Sequence, residues 1–408
     1  MSTKMKAVVY PYNEDFASQL RYWFTESPYE ITHLVSPIGF RLAGNDASFA
    51  DRSPALGMAI EDDFEAAILD ADVVILCDVS DHHVKKHTKT FDKSSAIGKL
   101  MLEKAHLAIG KGKHVLSMVE WEDSIERTLR EDARLRHVQY TSCRDLASRK
   151  MEERVLGLRN TTPRVIPVPV VFVMGTGCNT DKFMAQLGLV SGLRALGLKV
   201  GWVGSRPYAG LWGGYPIPGF MASGVSSEEE KVRLFNNYVY EVAQAGGMDV
   251  VVVGIPGGVI PICREFPNRY GLTAILMSQA VIPDYTLWTH YYNTGENQEF
   301  MDNLLAAAKH RCNAIVNAFH ISRRVVNIGE SKQKVSLVYE KYTDEEVDNH
   351  KAELLEFLPT VYNLHRPEDM EQWVRQVVDT LSAENHAEVL NWEGEMTNVY
   401  ADEKSSNV

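Results

Sequence analysis

The sequence predicts an α/β protein with a Rossmann-like N-terminal domain and a P-loop NTPase-like C-terminal domain built on a parallel sheet. Three observations lead there. At 408 residues the chain exceeds what one ordinary core organises, so two domains are expected, each burying a substantial interior. Strand-like and helix-like segments alternate along both halves, as in a parallel sheet covered by helices. One apolar strand in the second half runs through a small polar loop into a helix headed by a lysine.

In the first half, Lys6 to Pro11 reads as a strand, followed by a helix from about Glu14 and a strand from Glu30 to Val35. A helix near Asp62 to Leu69, a strand Asp72 to Cys77, a helix Ser94 to Gly110 and a strand His114 to Val119 continue the pattern. The turn after the first strand, Tyr10-Pro-Tyr-Asn-Glu14, contains no glycine. It therefore lacks the geometry that lets a backbone approach a pyrophosphate, and NAD is not expected. The domain is read as 1–150.

Between Arg144 and Pro169 the sequence turns charged and then proline-punctuated, Thr161-Thr-Pro-Arg-Val-Ile-Pro-Val-Pro169, which reads as a linker over 151–166. The second domain is read as 167–390, with a polar tail at 391–408. Its elements are strand Val170 to Met174, helix Lys182 to Leu196, strand Lys199 to Val203, helix Glu228 to Gln244 and strand Asp249 to Val253. They continue with strands Thr273 to Met277 and Tyr285 to His290, helix Gln298 to His310 and strand Asn313 to Phe319. Val335 to Tyr342 and a helix near Pro367 to Leu381 complete it.

Composition narrows the function classes. Hydrophobic content of 45% and charged content of 24% are those of an ordinary globular chain. No run approaches the roughly 18 apolar residues of a membrane span, and the opening Met1-Ser-Thr-Lys-Met-Lys6 has no signal-peptide core, so a cytoplasmic protein off the membrane is expected. A net charge of −12 repels phosphate backbones, so nucleic acid is not an expected partner. The five cysteines form no C-x-x-C pair, which argues against disulfides, zinc or an iron–sulfur cluster. Asp78, Asp81, His82, His83 and His87 resemble metal ligands by composition, but interleaved lysines favour a solvated loop, and no metal site is expected.

The most informative stretch is Val171-Phe-Val-Met-Gly-Thr-Gly-Cys-Asn-Thr-Asp-Lys-Phe183. Backbone N–H groups of such a loop and of the following helix can hold an anion, while Lys182 places a point charge against phosphate. The cofactor-binding candidates are therefore Gly175, Thr176, Gly177, Cys178, Asn179, Thr180, Asp181, Lys182 and Phe183. Five residues separate Gly175 from Asp181-Lys182-Phe183, where the usual Walker pattern has four before its Gly-Lys-Ser/Thr ending. Asp181 stands where a glycine normally lets phosphate come close, and Phe183 where a hydroxyl would hold Mg²⁺. Asp181 can neutralise Lys182, bind the metal itself or face away. The bland alternative is a loop retained only as a tight strand-to-helix turn.

Three other segments end at places where ligands bind in α/β folds. Asp249-Val-Val-Val-Val-Gly-Ile-Pro-Gly-Gly258 carries Gly254 where P-loop enzymes often have an acidic residue; Gly257 and Gly258 either offer N–H groups to an anion or form a tight turn. The glycine- and aromatic-rich loop 204–220 offers Arg206 to a phosphate or carboxylate and Tyr208, Trp212 and Tyr215 for stacking, or packs on its own aromatics. His290 closes a strand, either as a general acid or base or as a structural histidine. The catalytic candidates are Lys182, His290 and Asp181.

The longer spacing from Gly-Thr to the lysine resembles the loop of dethiobiotin synthetases. With the loop 204–220, Val253-Gly-Ile-Pro-Gly-Gly258 and Ser278-Gln-Ala-Val-Ile-Pro-Asp284…His290, the chain is similar to proteins that join a Rossmann-like domain to a dethiobiotin-synthetase-like P-loop domain, a group including D-amino-acid N-acetyltransferases. More narrowly, the Gly-Thr-Gly…Asp-Lys-Phe and Ile-Pro-Gly-Gly forms resemble accessory proteins of bacterial peptide-maturation systems that make ribosomal peptide natural products. The resemblance implies a nucleotide-binding (ATP-type) accessory protein, with or without Mg²⁺, that helps modify a precursor peptide. An acyltransferase using acyl-CoA on an amino acid or peptide is the alternative, since acyl-CoA needs no metal ligand. A scaffold that binds a peptide or a partner maturation enzyme is the third reading. Helix Gln298 to His310 and the C-terminal helices offer a surface for a homo-oligomer.

Overall fold

The structure, a computed structural model, describes residues 4–23, 26–79, 95–145, 148–158, 162–224, 226–358, 360–383, 389–390 and 396–397. The chain divides into two compact units, one of Met1–Arg149 with Pro207–Gly213, the other of Lys150–Arg206 with Gly214–Val408. No helix among the described residues is long and apolar enough to cross a membrane.

The first unit contains β1 (Met5–Tyr10), α1 (Glu14–Leu20), β2 (Tyr29–Val35), β3 (Ile60–Glu61), α2 (Phe64–Ala67) and β4 (Val73–Leu76). It continues through α3 (Ala96–Gly110), β5 (His114–Ser117), α4 (Asp123–Leu135) and β6 (Tyr140–Ser142). Its sheet has the order β3-β2-β1-β4-β5-β6, every pairing parallel, which is the Rossmann-like arrangement. All of β4, Val73 to Leu76, is buried, because helices cover both faces of such a sheet. At the switch point beside β1, Asn13 caps α1 by accepting from Phe16 N–H at 3.0 Å, and its amide donates to Asp78 O at 3.2 Å. Side-chain and backbone hydrogen bonds thus satisfy the glycine-free turn. An open cleft of about 550 Å³ lies near the carboxyl ends of β1 and β3, lined by Tyr10, Ile38, Asp62, Phe64, Glu65 and Lys104 among others.

The second unit begins with α5 (Ser148–Gly157), β7 (Val170–Gly175), α6 (Lys182–Ala195), β8 (Val200–Gly204), β9 (Tyr215–Pro216), α7 (Glu228–Gln244) and β10 (Val250–Gly254). It continues with α8 (Leu272–Ala280), β11 (Tyr285–His290), α9 (Gln298–Cys312), β12 (Ala318–Ile321), β13 (Arg324–Val326), α10 (Ile328–Lys334), β14 (Tyr339–Lys341), α11 (Asp344–Leu354), β15 (Val361–Tyr362) and α12 (Pro367–Ser382). Strands β16 (Val389–Leu390) and β17 (Met396–Thr397) form a small antiparallel pair, as do β13 and β14. The large sheet has the order β15-β12-β11-β7-β10-β8-β9 and is parallel throughout. Strand β7 is central and buried along its whole length. The chain fills one side of it with β8, β9 and β10 and then crosses to β11, so the direction of winding reverses beside β7 and β11. Ligands bind outside the carboxyl ends of strands at such a reversal.

Several boundaries differ from expectation for identifiable reasons. Thr273 to Met277, expected as a strand, lies inside helix α8. A short apolar run does not tell buried strand from buried helix, and here Ala274, Met277 and Ser278 are buried at helical spacing. The charged part of the expected linker forms α5, whose Val155 is fully buried in the second unit's core. Strand β12 starts at Ala318 rather than Asn313, since Asn313 caps α9 in the left-handed conformation. Edge strands β6 and β15, three and two residues long, are too short to carry a readable period. Of the tail 391–408, only Met396 and Thr397 belong to the described residues, and of the Asp/His stretch only Asp78 does.

Candidate functional site

The loop 176–181 sits where β7 and β11 end. Gly175 is required there: a Cβ would stand 2.2 Å from Thr289 Oγ1 and 2.4 Å from its carbonyl oxygen. Thr176 N–H donates to Thr289 O at 3.0 Å, continuing the ladder one residue past the strand. Gly177 lies as close to Tyr291, whose hydroxyl would be 2.2 Å from a Cβ and donates to the Cys178 carbonyl. Buried Thr180 donates to Gly177 O at 3.2 Å, which leaves its oxygen to accept from Lys182 Nζ at 3.1 Å and from the Thr289 hydroxyl at 2.6 Å. Lys182 Nζ also donates to Gly177 O, so the ammonium is held inside its own loop. Asn179 and Asp181 adopt left-handed φ of 56° and 60°, the alternation that turns successive N–H groups toward one side. The backbone N–H groups of Gly177, Cys178, Asn179 and Asp181 meet no acceptor among the described residues.

A buried polar chain leads away from this loop. Trp288 Nε1 donates to Thr176 Oγ1 at 3.0 Å, leaving the Thr176 proton for its other contact, His290 Nδ1. The ring proton of His290 then sits on Nε2, which faces Glu296 Oε1. Glu296 Oε2 lies 3.0 Å from His350 Nε2, and His350 Nδ1 lies 3.0 Å from exposed Glu353. The Glu296 carboxylate is wholly buried. Burial alone raises its pKa, but His290 and His350 outweigh that and hold it below the usual carboxylate range. For His350, burial works against the charged form, and the two glutamates prevail and raise its pKa. His290 is therefore no isolated strand-end histidine; it links the loop hydroxyl to a carboxylate with a path to solvent.

Asp181 turns to a third group of side chains. Its Oδ1 accepts from Arg324 at 3.0 Å, and its Oδ2 accepts from Ser322 Oγ at 2.6 Å and lies 3.2 Å from His365 Nε2 and 3.6 Å from His320 Nε2. Burial would raise the Asp181 pKa, but the charges of His365 and Arg324 drive it well below the usual range. Burial lowers that of His365, and the Asp181 carboxylate offsets it only in part. His320, Ser322, Arg324 and His365 gave no signal in the sequence, because 141 residues separate Asp181 from Ser322 and 184 separate it from His365.

The remaining candidates divide by burial. Phe183 packs its ring on Trp202 with centroids 5.6 Å apart, so its side chain belongs to the core and is no ligand group. Gly254, at the place of the usual acidic residue, is contacted by the Gln186 amide, which would lie 2.1 Å from a Cβ; Gln186 accepts from Trp202 Nε1 and Ser205 N and donates to Lys182 O. Gly257 has a left-handed φ of 76°, and Gly258 permits close approach to the Thr176 carbonyl, 2.5 Å from a would-be Cβ. The glycine pair thus braces the loop from the β10 side. Arg206 is half-buried at the end of β8, and Cys178 and Asn179 are half-buried on the loop. Tyr208 and Trp212 are each 1% exposed, with Trp212 edge-on to Trp23 at 5.0 Å; they serve the first unit's interior and are not stacking platforms.

The fold and site define a class: a two-unit α/β protein whose larger parallel sheet gathers its polar groups at the carboxyl ends of β7, β11 and β12. No protein-family model matches the sequence, and no curated protein matches it. Among solved structures, a DUF1611 family protein from Anabaena variabilis is similar in fold, with a TM-score of 0.57 at 11% identity over 93% of this chain and 99% of that one. At that identity the likeness concerns the fold alone. GenD2 from gentamicin A biosynthesis, in complex with NAD, aligns with a TM-score of 0.28 at 13% identity over 45% of this chain and 47% of that one. Amine dehydrogenase from Mycobacterium smegmatis aligns with a TM-score of 0.30 at 14% identity over 45% and 52%. Both scores are too low to bear on this chain.

Proposed function

We propose that the second unit is a P-loop NTPase-like module that binds the phosphate group of an ATP-type nucleotide on the loop from Gly175 to Lys182. The observation that carries this reading is the set of N–H groups of Gly177, Cys178, Asn179 and Asp181, without acceptors among the described residues, beside a buried lysine ammonium. Left-handed residues two apart and a charge at the helix start are what an anion needs. A phosphate oxygen would replace Thr180 as a partner of Lys182. The Phe183 ring and the Gln186 amide take the places of the hydroxyl and the acid used for hydrolysis, which favours binding or group transfer over turnover of the nucleotide by water. The four resembling segments support a role beside the modification of a ribosomally made peptide.

A second reading, acyl transfer from acyl-CoA to an amino acid or peptide amine, is favoured by the chain Thr176–His290–Glu296. As the amine attacks the thioester carbon, its proton passes to Thr176 Oγ1 while the Thr176 proton passes to His290 Nδ1, giving an imidazolium beside Glu296; the C–S bond then breaks with its electron pair on sulfur, and the coenzyme thiolate takes the proton back from His290 by way of Thr176, leaving amide, free thiol and neutral imidazole. The phosphates of the coenzyme would use the same loop.

Calorimetry and thermal unfolding with ATP, Mg-ATP and acetyl-CoA, on wild type and Lys182→Ala, test both. A ligand at about 100-fold excess over its dissociation constant adds roughly 2.7 kcal/mol to stability. Stabilisation by a nucleotide, lost in the variant, supports the first reading; by acetyl-CoA alone, the second. No shift with any of them overturns both and leaves a scaffold for peptide or enzyme partners.

A further inference from the structure

We propose that Asp181, His320 and His365 form a binding site for a first-row transition-metal cation such as Zn²⁺ or Mn²⁺ at the base of the loop. The donor atoms of the three residues all lie within 4.8 Å of one another. They come from three separate elements: the residue before α6, the buried strand β12, and the turn between β15 and α12.

Geometry argues for a cation. Bonds of about 2.0 to 2.1 Å in a tetrahedral site place ligand atoms about 3.3 Å apart. The Oδ2 of Asp181 lies 3.2 Å from His365 Nε2 and 3.6 Å from His320 Nε2. The second of these is too long for a hydrogen bond and close to a ligand–ligand edge. His320 is 0% exposed, and its Nε2 is without a hydrogen-bond partner among the described residues. A buried, aimed and unsatisfied nitrogen is costly unless something fills the position in front of it.

Of the two contacts at Nδ1 of His320, the carbonyl suits a metal-binding imidazole and the N–H suits the metal-free ring. Nδ1 of His320 faces the Tyr362 carbonyl at 3.3 Å and the Leu364 N–H at 3.2 Å. Because the Leu364 N–H donates to Nδ1, the metal-free ring carries its proton on Nε2, 3.6 Å from Asp181 Oδ2; a cation would take that proton's place and shift the ring proton to Nδ1, toward the Tyr362 carbonyl. Arg323, whose charge is felt at His365, opposes a cation, and so does Arg324. Arg324 occupies Oδ1 only, at 3.0 Å, so it orients the carboxylate and leaves Oδ2, the oxygen nearest both imidazoles. Ser322 Oγ donates to Oδ2 at 2.6 Å, which leaves that oxygen a further lone pair. Two imidazoles with one carboxylate suit Zn²⁺, Mn²⁺, Fe²⁺ or Co²⁺ rather than Mg²⁺ or Ca²⁺, which prefer all-oxygen sets.

The test uses the full chain, stripped with a chelator and titrated with Co²⁺ while visible absorption and calorimetric stoichiometry are followed. One Co²⁺ per chain with d–d bands, displaced by Zn²⁺, is expected. Affinity should fall about 100-fold or more in His365→Ala and Asp181→Asn, and about 10- to 100-fold in Ser322→Ala. Circular dichroism of the metal-free variants checks that each is folded. X-ray absorption of the wild-type cobalt form, expected to report two imidazole ligands, decides the matter if a variant does not fold. Absence of stoichiometric binding, or binding that persists in the folded variants, as it would if the histidines at 82, 83 and 87 held the ion, overturns the proposal. The outcome is independent of whether the loop binds phosphate.

Discussion

His350 Nε2 lies 3.0 Å from Glu296 Oε2, and the two side chains are 4% and 0% exposed. The pair joins the connection between β11 and α9 to α11, and its charge state sets how stability responds to pH. Glu296 is held below its ordinary value of 4.5, so its contribution is fully present above that value and is lost as pH falls through the folded pKa. His350 is held above 6.5, so its contribution is fully present below that value and is lost as pH rises through the folded pKa. Stability from this pair is expected to be greatest between pH 4.5 and 6.5, measured as urea midpoints across the range. In Glu296→Gln the acid-side loss should flatten and stability should drop by roughly 3–5 kcal/mol, the cost of removing one partner of a buried pair.

Gly254→Ala should destabilise by about 1–3 kcal/mol, because a Cβ would stand 2.1 Å from the fully buried and fourfold-bonded Gln186 amide. Combining it with Gln186→Ala should give less than the sum of the single losses, since the second change removes the clash. Equal additivity in denaturant unfolding would place the strain elsewhere.

Restoring the usual hydroxyl with Phe183→Thr should fail to create Mg²⁺-dependent binding. The ring it removes fills space against Trp202, so the expected result is a loss of about 3–5 kcal/mol, by analogy with Phe-to-Ala core changes. A stable variant with newly Mg²⁺-dependent nucleotide affinity would contradict this.

If acetyl-CoA proves to be the ligand, Thr176→Ser should keep turnover within a few-fold, and Thr176→Val should lower it by about 10²- to 10⁴-fold, the usual share of proton transfer. The valine removes the hydroxyl between Trp288 Nε1 and His290 Nδ1 while keeping the shape. Unchanged turnover would remove Thr176 from the proton path. Acetyl-CoA affinity, measured in parallel, should change little.

The α/β class was legible from the alternation of apolar runs, because local periodicity survives whatever the chain later packs against. Helix α7 and strand β11 begin and end where the sequence indicates; Ser227 caps the start of α7, and Pro283 lies two residues before β11. The loop 175–183 was legible as well, since strand, glycines and lysine are consecutive. Residues 273–277 were not, because a five-residue apolar run carries no period long enough to separate helix from strand.

What only the tertiary structure decided is what the loop's side chains meet. Sequence left Asp181 with three roles and His290 with two. Folding brought Ser322, Arg324, His320 and His365 to the first from more than 135 positions away, and Thr176 and Glu296 to the second. A parallel sheet aligns the carboxyl ends of strands distant in the chain, so its sites are assembled from single residues that no local pattern marks.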